Sequence, residues 1–176
     1  MPDRLVIRAA MAADGEAIDS LIRSAFARTE FGYQGEAELV RMIEDDGDAM
    51  VSLVAETDGD IVGHVLFSRM NVEADGTALS AAGLAPVSVS PACQGQRIGA
   101  ALVRAGLDEL RGLGAQISFV LGHEAYYARF GYSAALAARF ASPFAGPHFM
   151  AMTLDSAADW PQGGRADYAP AFGRLG

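Results

Sequence analysis

Between Leu84 and Gly114 the chain reads LAPVSVSPACQGQRIGAALVRAGLDELRGLG, and no other stretch constrains the fold as much. An apolar, β-branched run stops at Ser90-Pro91. A polar turn with Gly95 follows, and from Ile98 apolar residues recur at helical spacing. Ile98, Ala101, Leu102 and Ala105 mark one face, Arg104, Asp108 and Arg111 the other, and Gly112 and Gly114 end the helix. Strand, glycine turn and helix in that order suit either an ordinary joint or an anion site. First-turn amides of a helix are unpaired and carry partial positive charge, and glycine lets an anion come close to the backbone. Spacing alone leaves both readings open. The later GLGAQI imitates half of a dinucleotide fingerprint, but it follows a helix and precedes a strand, the reverse of the order required.

The flanks fill in a mixed α/β pattern. Arg4 to Ala10 alternates as a first strand, and Ile18, Leu21, Ile22 and Phe26 take helical spacing with Asp14 as the expected N-cap. Glu36 to Glu44 predicts a second helix, with Leu39, Met42 and Ile43 inward. MVSLVAE and IVGHVLFSRM are strands joined by TDGD, a hairpin signal because Asp-Gly tolerates positive φ. A second turn, EADG, leads into the strand region 77–89. QISFVLG predicts a short buried strand, and EAYYARF a helical turn or two ended by Gly131. Antiparallel strands followed by a βαβ unit predict a mixed sheet of about six or seven strands with helices on its faces. The 176 residues suit one domain, with its core at about 4–154 and an irregular tail from 155 to 176.

Composition narrows the chemistry. The longest apolar runs are far too short to cross a bilayer, and the N-terminus carries charges where a signal peptide needs its apolar stretch, which predicts a soluble cytoplasmic protein. The single cysteine, Cys93, excludes an internal disulfide framework. A formal charge of −9 argues against nucleic acid and suits a cationic acceptor. There is no lysine, which removes Schiff-base chemistry and the Walker A lysine. His64, His123 and His148 are far apart, and no metal-binding spacing joins them, so no metal is expected.

PVSVSPACQGQRIGAALV resembles the acetyl-CoA signature of the GCN5-related N-acetyltransferase (GNAT) superfamily, a strand, then Gln/Arg-x-x-Gly-x-Gly/Ala, then a helix. Gln94 and Gly99 match its ends, and Arg97 stands where glycine is usual; an arginine at a helix start is expected to keep helical φ/ψ. FVLGHEAYYARFGYSAA resembles the downstream Tyr-x-x-x-Gly-Phe/Tyr segment, in the form seen in the YhbS-like subgroup.

The resemblance implies a GNAT fold with splayed fourth and fifth strands and acetyl-CoA as acyl donor. The pantetheine arm would pair with Val87, Ser88 and Val89, and the pyrophosphate would sit on Gln94, Gly95, Gln96, Arg97, Ile98, Gly99 and Ala100. It implies direct attack of a primary amine, of a small molecule or peptide, on the thioester. The developing oxyanion would meet a main-chain N–H at the splay, and Tyr127 would be general acid to the departing thiolate. Tyr126 is expected to pack. Glu30, Glu36, Glu56, His64, His123 and Glu124 qualify by type as base, with His123 and Glu124 first because they end the fifth strand. Glu30, Phe31 and Tyr33 are expected at the acceptor rim. An exposed C-terminal edge strand would allow a homodimer. The alternatives are a non-catalytic acyl-CoA-binding or sensing domain, and a site for another phosphate ligand.

Overall fold

The computed structural model describes residues 4–155 and 163–174. Five strands and three helices form its frame: β1 (Leu5–Ala9), α1 (Gly15–Ala27), α2 (Glu36–Asp45), β2 (Ala49–Thr57), β3 (Asp60–Ala74), β4 (Thr77–Val89), α3 (Ile98–Gly112) and β5 (Ile117–Leu121). Short elements complete it: α4 (Glu124–Tyr127), α5 (Ala134–Ala137), β6 (Phe140–Ala141), β7 (Phe149–Thr153) and β8 (Gly164–Asp167). The sheet runs β1-β2-β3-β4-β5-β7, with β8 pairing both β3 and β6. It is antiparallel except at β4–β5 and β6–β8.

The two Asp-Gly turns form as their chemistry dictates. Asp58 and Gly59 have φ of 52° and 85°, and Asp75 and Gly76 have φ of 50° and 82°. Alternation along the strands then sorts side chains onto two faces. Leu53, Ala55, Val65 and Phe67 pack under α3, while Val54 and Leu66 pack against α1 and α2. Beyond them, Met70, Phe119, Phe140 and Phe149 continue the second face as a further cluster.

Several local expectations change. The sheet has eight strands, because the segment expected to be an irregular tail contributes β8, paired with β3 from Asn71↔Asp167 to Ala74↔Gly164. Asp14 does not cap α1 with its side chain. Its carboxylate instead accepts from the Arg8 guanidinium at 2.8 and 3.0 Å and from the Met11 N–H at 2.7 Å. These bonds hold it well below the ordinary aspartate pKa. The buried stripe of α3 is Ile98, Leu102, Val103, Gly106, Leu107 and Leu110, rotated from the expected Ala101/Ala105 face. Gly106 allows this: a Cβ there would fall 2.2 Å from Cε2 of the fully buried Phe67.

The edge strand β7 is partly occupied, since Ser133 exchanges backbone hydrogen bonds of 2.8 and 3.0 Å with Ala151. No helix among the described residues is long and apolar enough to cross a membrane.

Candidate active site

β4 and β5 run parallel from Ala81↔Ile117 to Leu84↔Val120, and there their pairing ends. β4 continues to Val89 held only by β3, so a gap opens beside residues 85–89. Ala85 and Pro86 fall in a bulge opposite β3, between Phe67↔Leu84 and Val65↔Val87. This is the splay that the sequence resemblance implies.

At the far end of β4 the chain turns into α3. Gly95 has φ 81°, and Arg97 has φ 64° and ψ 18° and stands as N-cap of the helix without a side-chain cap bond. Arg97 is therefore left-handed, not helical as the sequence led us to expect. The geometry explains why glycine suits this position: an L side chain there costs about 1 kcal/mol or more. Alternating conformations of this kind turn successive amides to one side, a concavity that receives anions. The first-turn amides of a fifteen-residue helix face the same space.

That space is a groove of about 350 Å³, lined by Val89, Cys93, Gln94, Gly95, Arg97, Ile98, Gly99, Ala100, Tyr126 and Arg129. Most of the expected loop thus lies together. Gln96 is outside the lining, and Val87 and Ser88 lie further back along β4. The Gln94 side chain is engaged internally, its Nε2 donating to the Val89 carbonyl at 3.2 Å.

Space at Gly99 is tight: a Cβ would meet the Tyr126 hydroxyl at 3.3 Å, so the ring would have to give by a few tenths of an ångström. Tyr126, expected only to pack, lies in the groove with the Arg129 guanidinium over its ring at 4.5 Å. Arg104 sits over Phe130 at 5.1 Å, and an adjoining hollow collects Arg104, Arg129 and Arg111, the last paired with Asp108 at 3.1 Å. In a chain of net charge −9 this is a concentration of cations beside the loop. Arg104 and Arg129 did not stand out in sequence. Their signal is present, however, since Arg129 follows Tyr126 by three residues and Arg104 lies on the polar side of α3.

Tyr127 leans over Gly122, where a Cβ would fall 2.5 Å from its Cε2, and joins the core under α3. Its ring lies edge-on to Tyr126 and Tyr132 at 4.9 and 5.9 Å. Burial, with a smaller contribution from Tyr126, pushes its pKa up to about 12. The Tyr132 hydroxyl, deeper in, pairs with Ser118 Oγ at 2.8 Å.

The base and acceptor candidates separate. His123 and Glu124 are exposed at the start of α4, and His123 lies edge-on to His148 at 6.3 Å. His64 is fully buried on β3, its Nε2 3.1 Å from Ser52 Oγ, and burial lowers its pKa to about 4. Glu30 is exposed and Phe31 is 76% exposed. Tyr33 is committed to structure: its hydroxyl pairs with Glu38 and accepts from the Ala37 N–H at 3.2 Å, beneath Arg23 at 4.9 Å. Among the described residues no three His, Cys, Asp or Glu side chains converge as a metal site would need.

Comparison with known proteins agrees with this geometry. The acetyltransferase (GNAT) domain model matches residues 6–135. The N-acetyltransferase YhbS of Escherichia coli is 36% identical over 132 residues, 74% of this chain and 75% of that one. The N-acetyltransferase YjhQ of Escherichia coli is 40% identical over 104 residues, and the match spans 58% of each chain. Among solved structures, the CoA complex of Escherichia coli YhbS covers 100% of this chain and 96% of its own, at 31% identity and a TM-score of 0.84. A GNAT acetyltransferase from Brucella melitensis in complex with acetyl-CoA covers 97% and 99%, at 34% identity and a TM-score of 0.79. Splayed strands, glycine turn, helix and family model coincide on the same residues, and the chain belongs to the GNAT acetyltransferase family.

Proposed function

We propose that the protein transfers an acetyl group from acetyl-CoA to a primary amine of a small molecule or peptide. The observation that carries this reading is the groove at the start of α3, where the amides of 95–100 and the side chains of Arg97 and Arg129 border one space. A diphosphate there would gain backbone hydrogen bonds, the helix dipole and arginine contacts without lysine. Arg104 supplies positive charge for a further phosphate, while Arg111 in the same hollow is paired with Asp108 at 3.1 Å. The acetyl-CoA complex of the Brucella relative and the CoA complex of the Escherichia relative support the same donor.

The pantetheine arm would lie along the unpaired edge of β4 at 87–89, placing the thioester where β4 leaves β5. A neutral amine attacks the carbonyl carbon, the C–N bond forms, and the carbonyl oxygen becomes an oxyanion. The amine proton leaves to a base or to water, with His123 and Glu124 at the mouth as candidates. Collapse breaks the C–S bond and releases thiolate.

Tyr127 donates to that sulfur. Its elevated pKa keeps it protonated through the working pH range, as a donor must be. A thiol of pKa about 8.5 cannot draw the proton fully from a phenol near 12. The phenol therefore acts while the C–S bond breaks, and solvent completes neutralisation.

Thiol release from acetyl-CoA across a panel of polyamines, aminoglycosides, amino acids and N-terminal peptides tests the reaction, after calorimetry with CoA tests the groove. Tyr127→Phe is expected to leave acetyl-CoA affinity within about twofold and to slow turnover at least about tenfold. Wild-type rates from that variant between pH 6 and 9 would remove Tyr127 from the mechanism.

A further inference from the structure

Buried polar atoms without partners are rare in folded proteins and each calls for a cause. Here they cluster. Besides Thr57, the buried side-chain atoms that lack a hydrogen-bond partner among the described residues are His64 Nδ1, Ser68 Oγ, Ser88 Oγ and the Tyr168 hydroxyl. Those four flank the stretch of β3 and β4 beside the splay. Ser68 pairs with Gly83 and His64 with Ser88, on either side of the 85–86 bulge.

Tyr168 is the member that the sequence could not place. It follows β8 directly, and its ring covers Gly83, where a Cβ would stand 2.6 Å from its Cε1. Gly83 is one residue short of the last β4–β5 pair, Leu84↔Val120. The ring packs with Phe149 and the cluster on the α1/α2 side of the sheet. Tyr127 packs with the cluster on the α3 side. The two phenols therefore approach the end of the β4–β5 pairing from opposite faces. They are within electrostatic reach of each other: burial, and then Tyr127, oppose ionisation of Tyr168. Tyr132 lies within reach of both.

Pro86, in the bulge, has no N–H to offer an oxyanion. A free phenolic O–H held against Gly83 adds a side-chain donor on this face of the sheet, beside any main-chain N–H at the splay.

We propose that the Tyr168 hydroxyl donates a hydrogen bond to the carbonyl oxygen of the acyl thioester bound between β4 and β5, on the face opposite Tyr127. It is a catalytic residue in the sense that it touches the reacting atoms. The bond strengthens as the carbonyl oxygen takes up negative charge on amine attack, and it returns to its initial strength when the C–S bond breaks. An attacking amine does not compete for this donor, because its lone pair must point at the carbonyl carbon.

This inference rests on the acetyl-CoA reading, and its test needs no acceptor. Calorimetry compares acetyl-CoA, CoA and S-ethyl-CoA, a thioether of similar shape that lacks the carbonyl, on wild type and Tyr168→Phe. Wild type is expected to prefer acetyl-CoA over S-ethyl-CoA by about three- to tenfold. Tyr168→Phe is expected to bind the two alike, with S-ethyl-CoA and CoA affinities within about twofold of wild type. Infrared spectra of carbonyl-labelled acetyl-CoA should show a lower carbonyl frequency on wild type than on the variant. Removing an unpartnered hydroxyl should leave the melting temperature unchanged or raise it.

A Tyr168→Phe protein that keeps the full preference and the same carbonyl frequency overturns the proposal. So does one that melts several degrees lower, because its hydroxyl then had a structural partner. Failure of wild type to bind CoA at all overturns the donor assignment beneath it, a result distinct from the others.

Discussion

Acid should destabilise this fold through one histidine. His64 is fully buried between Val54 on β2 and Ser88 on β4, and among the described residues its ring is hydrogen-bonded to Ser52 alone. Among the described residues no carboxylate offsets a charge there, and burial lowers its pKa from 6.5 to about 4. Above pH 6.5 the ring is neutral whether the chain is folded or not, and the shift has no effect on stability. As pH falls below 6.5 the unfolded chain takes up a proton that the folded one refuses, so stability drops until the folded ring also protonates near pH 4. At about 1.36 kcal/mol per pH unit, the loss between pH 7.5 and pH 4.5 is about 2–3 kcal/mol. That is a sizeable part of the 5–15 kcal/mol or so that holds a typical domain.

Carboxylates titrate in the same range, so the comparison is with His64→Gln, which can still reach Ser52 but does not ionise. Urea unfolding of both proteins at a series of pH values isolates the histidine. The stability difference between wild type and His64→Gln should move in the variant's favour by about 2–3 kcal/mol from pH 7.5 to pH 4.5. Two parallel pH profiles would refute the reasoning, and would mean that the folded protein accommodates the imidazolium.

Arg97 and Gly106 offer two backbone tests. Arg97→Ala and Arg97→Gly both remove the guanidinium from the groove and should weaken CoA binding alike. Only glycine relieves the left-handed backbone at φ 64°, so Arg97→Gly should be more stable than Arg97→Ala by about 1 kcal/mol in urea unfolding. Equal stabilities would mean that the loop adopts another conformation in solution. Gly106→Ala forces a methyl to within 2.2 Å of a Phe67 ring carbon and should cost about 1–3 kcal/mol, read as a lower urea midpoint at unchanged slope. A neutral result would show that α3 can lift from the sheet at little cost.

What could be read from the chain was what local rules decide. Asp-Gly pairs set the two hairpin turns, and the strand, glycine loop and helix from Leu84 to Gly114, taken with their family resemblance, point to the residues that border the groove. What escaped depends on neighbours distant in sequence. Asp14 looked like a cap because caps are local, but Arg8 and the Met11 amide compete for its carboxylate. The buried face of α3 shifted because Phe67, on another strand, fills the notch at Gly106. Arg97 was expected in the commonest conformation for a helix start, yet the turn after Gly95 imposes the left-handed one. Of the paired tyrosines, periodicity could not say which enters the groove and which leans into the core. β8 is four residues with little alternation, and pairing with β3 and β6 defines it as a strand.

The docking of β8 on β3 also has a consequence for how the molecule assembles. The β2–β3–β4 meander joins neighbours through tight turns and can form early, since closing short loops costs little entropy. Asn71 must wait for Asp167, nearly a hundred positions later in synthesis, to complete that edge. A nascent chain can thus carry β4, the turn after it and α3 while the far half of β3 still lacks its outer neighbour, and that border closes only when the last ribbon zips onto the hairpin.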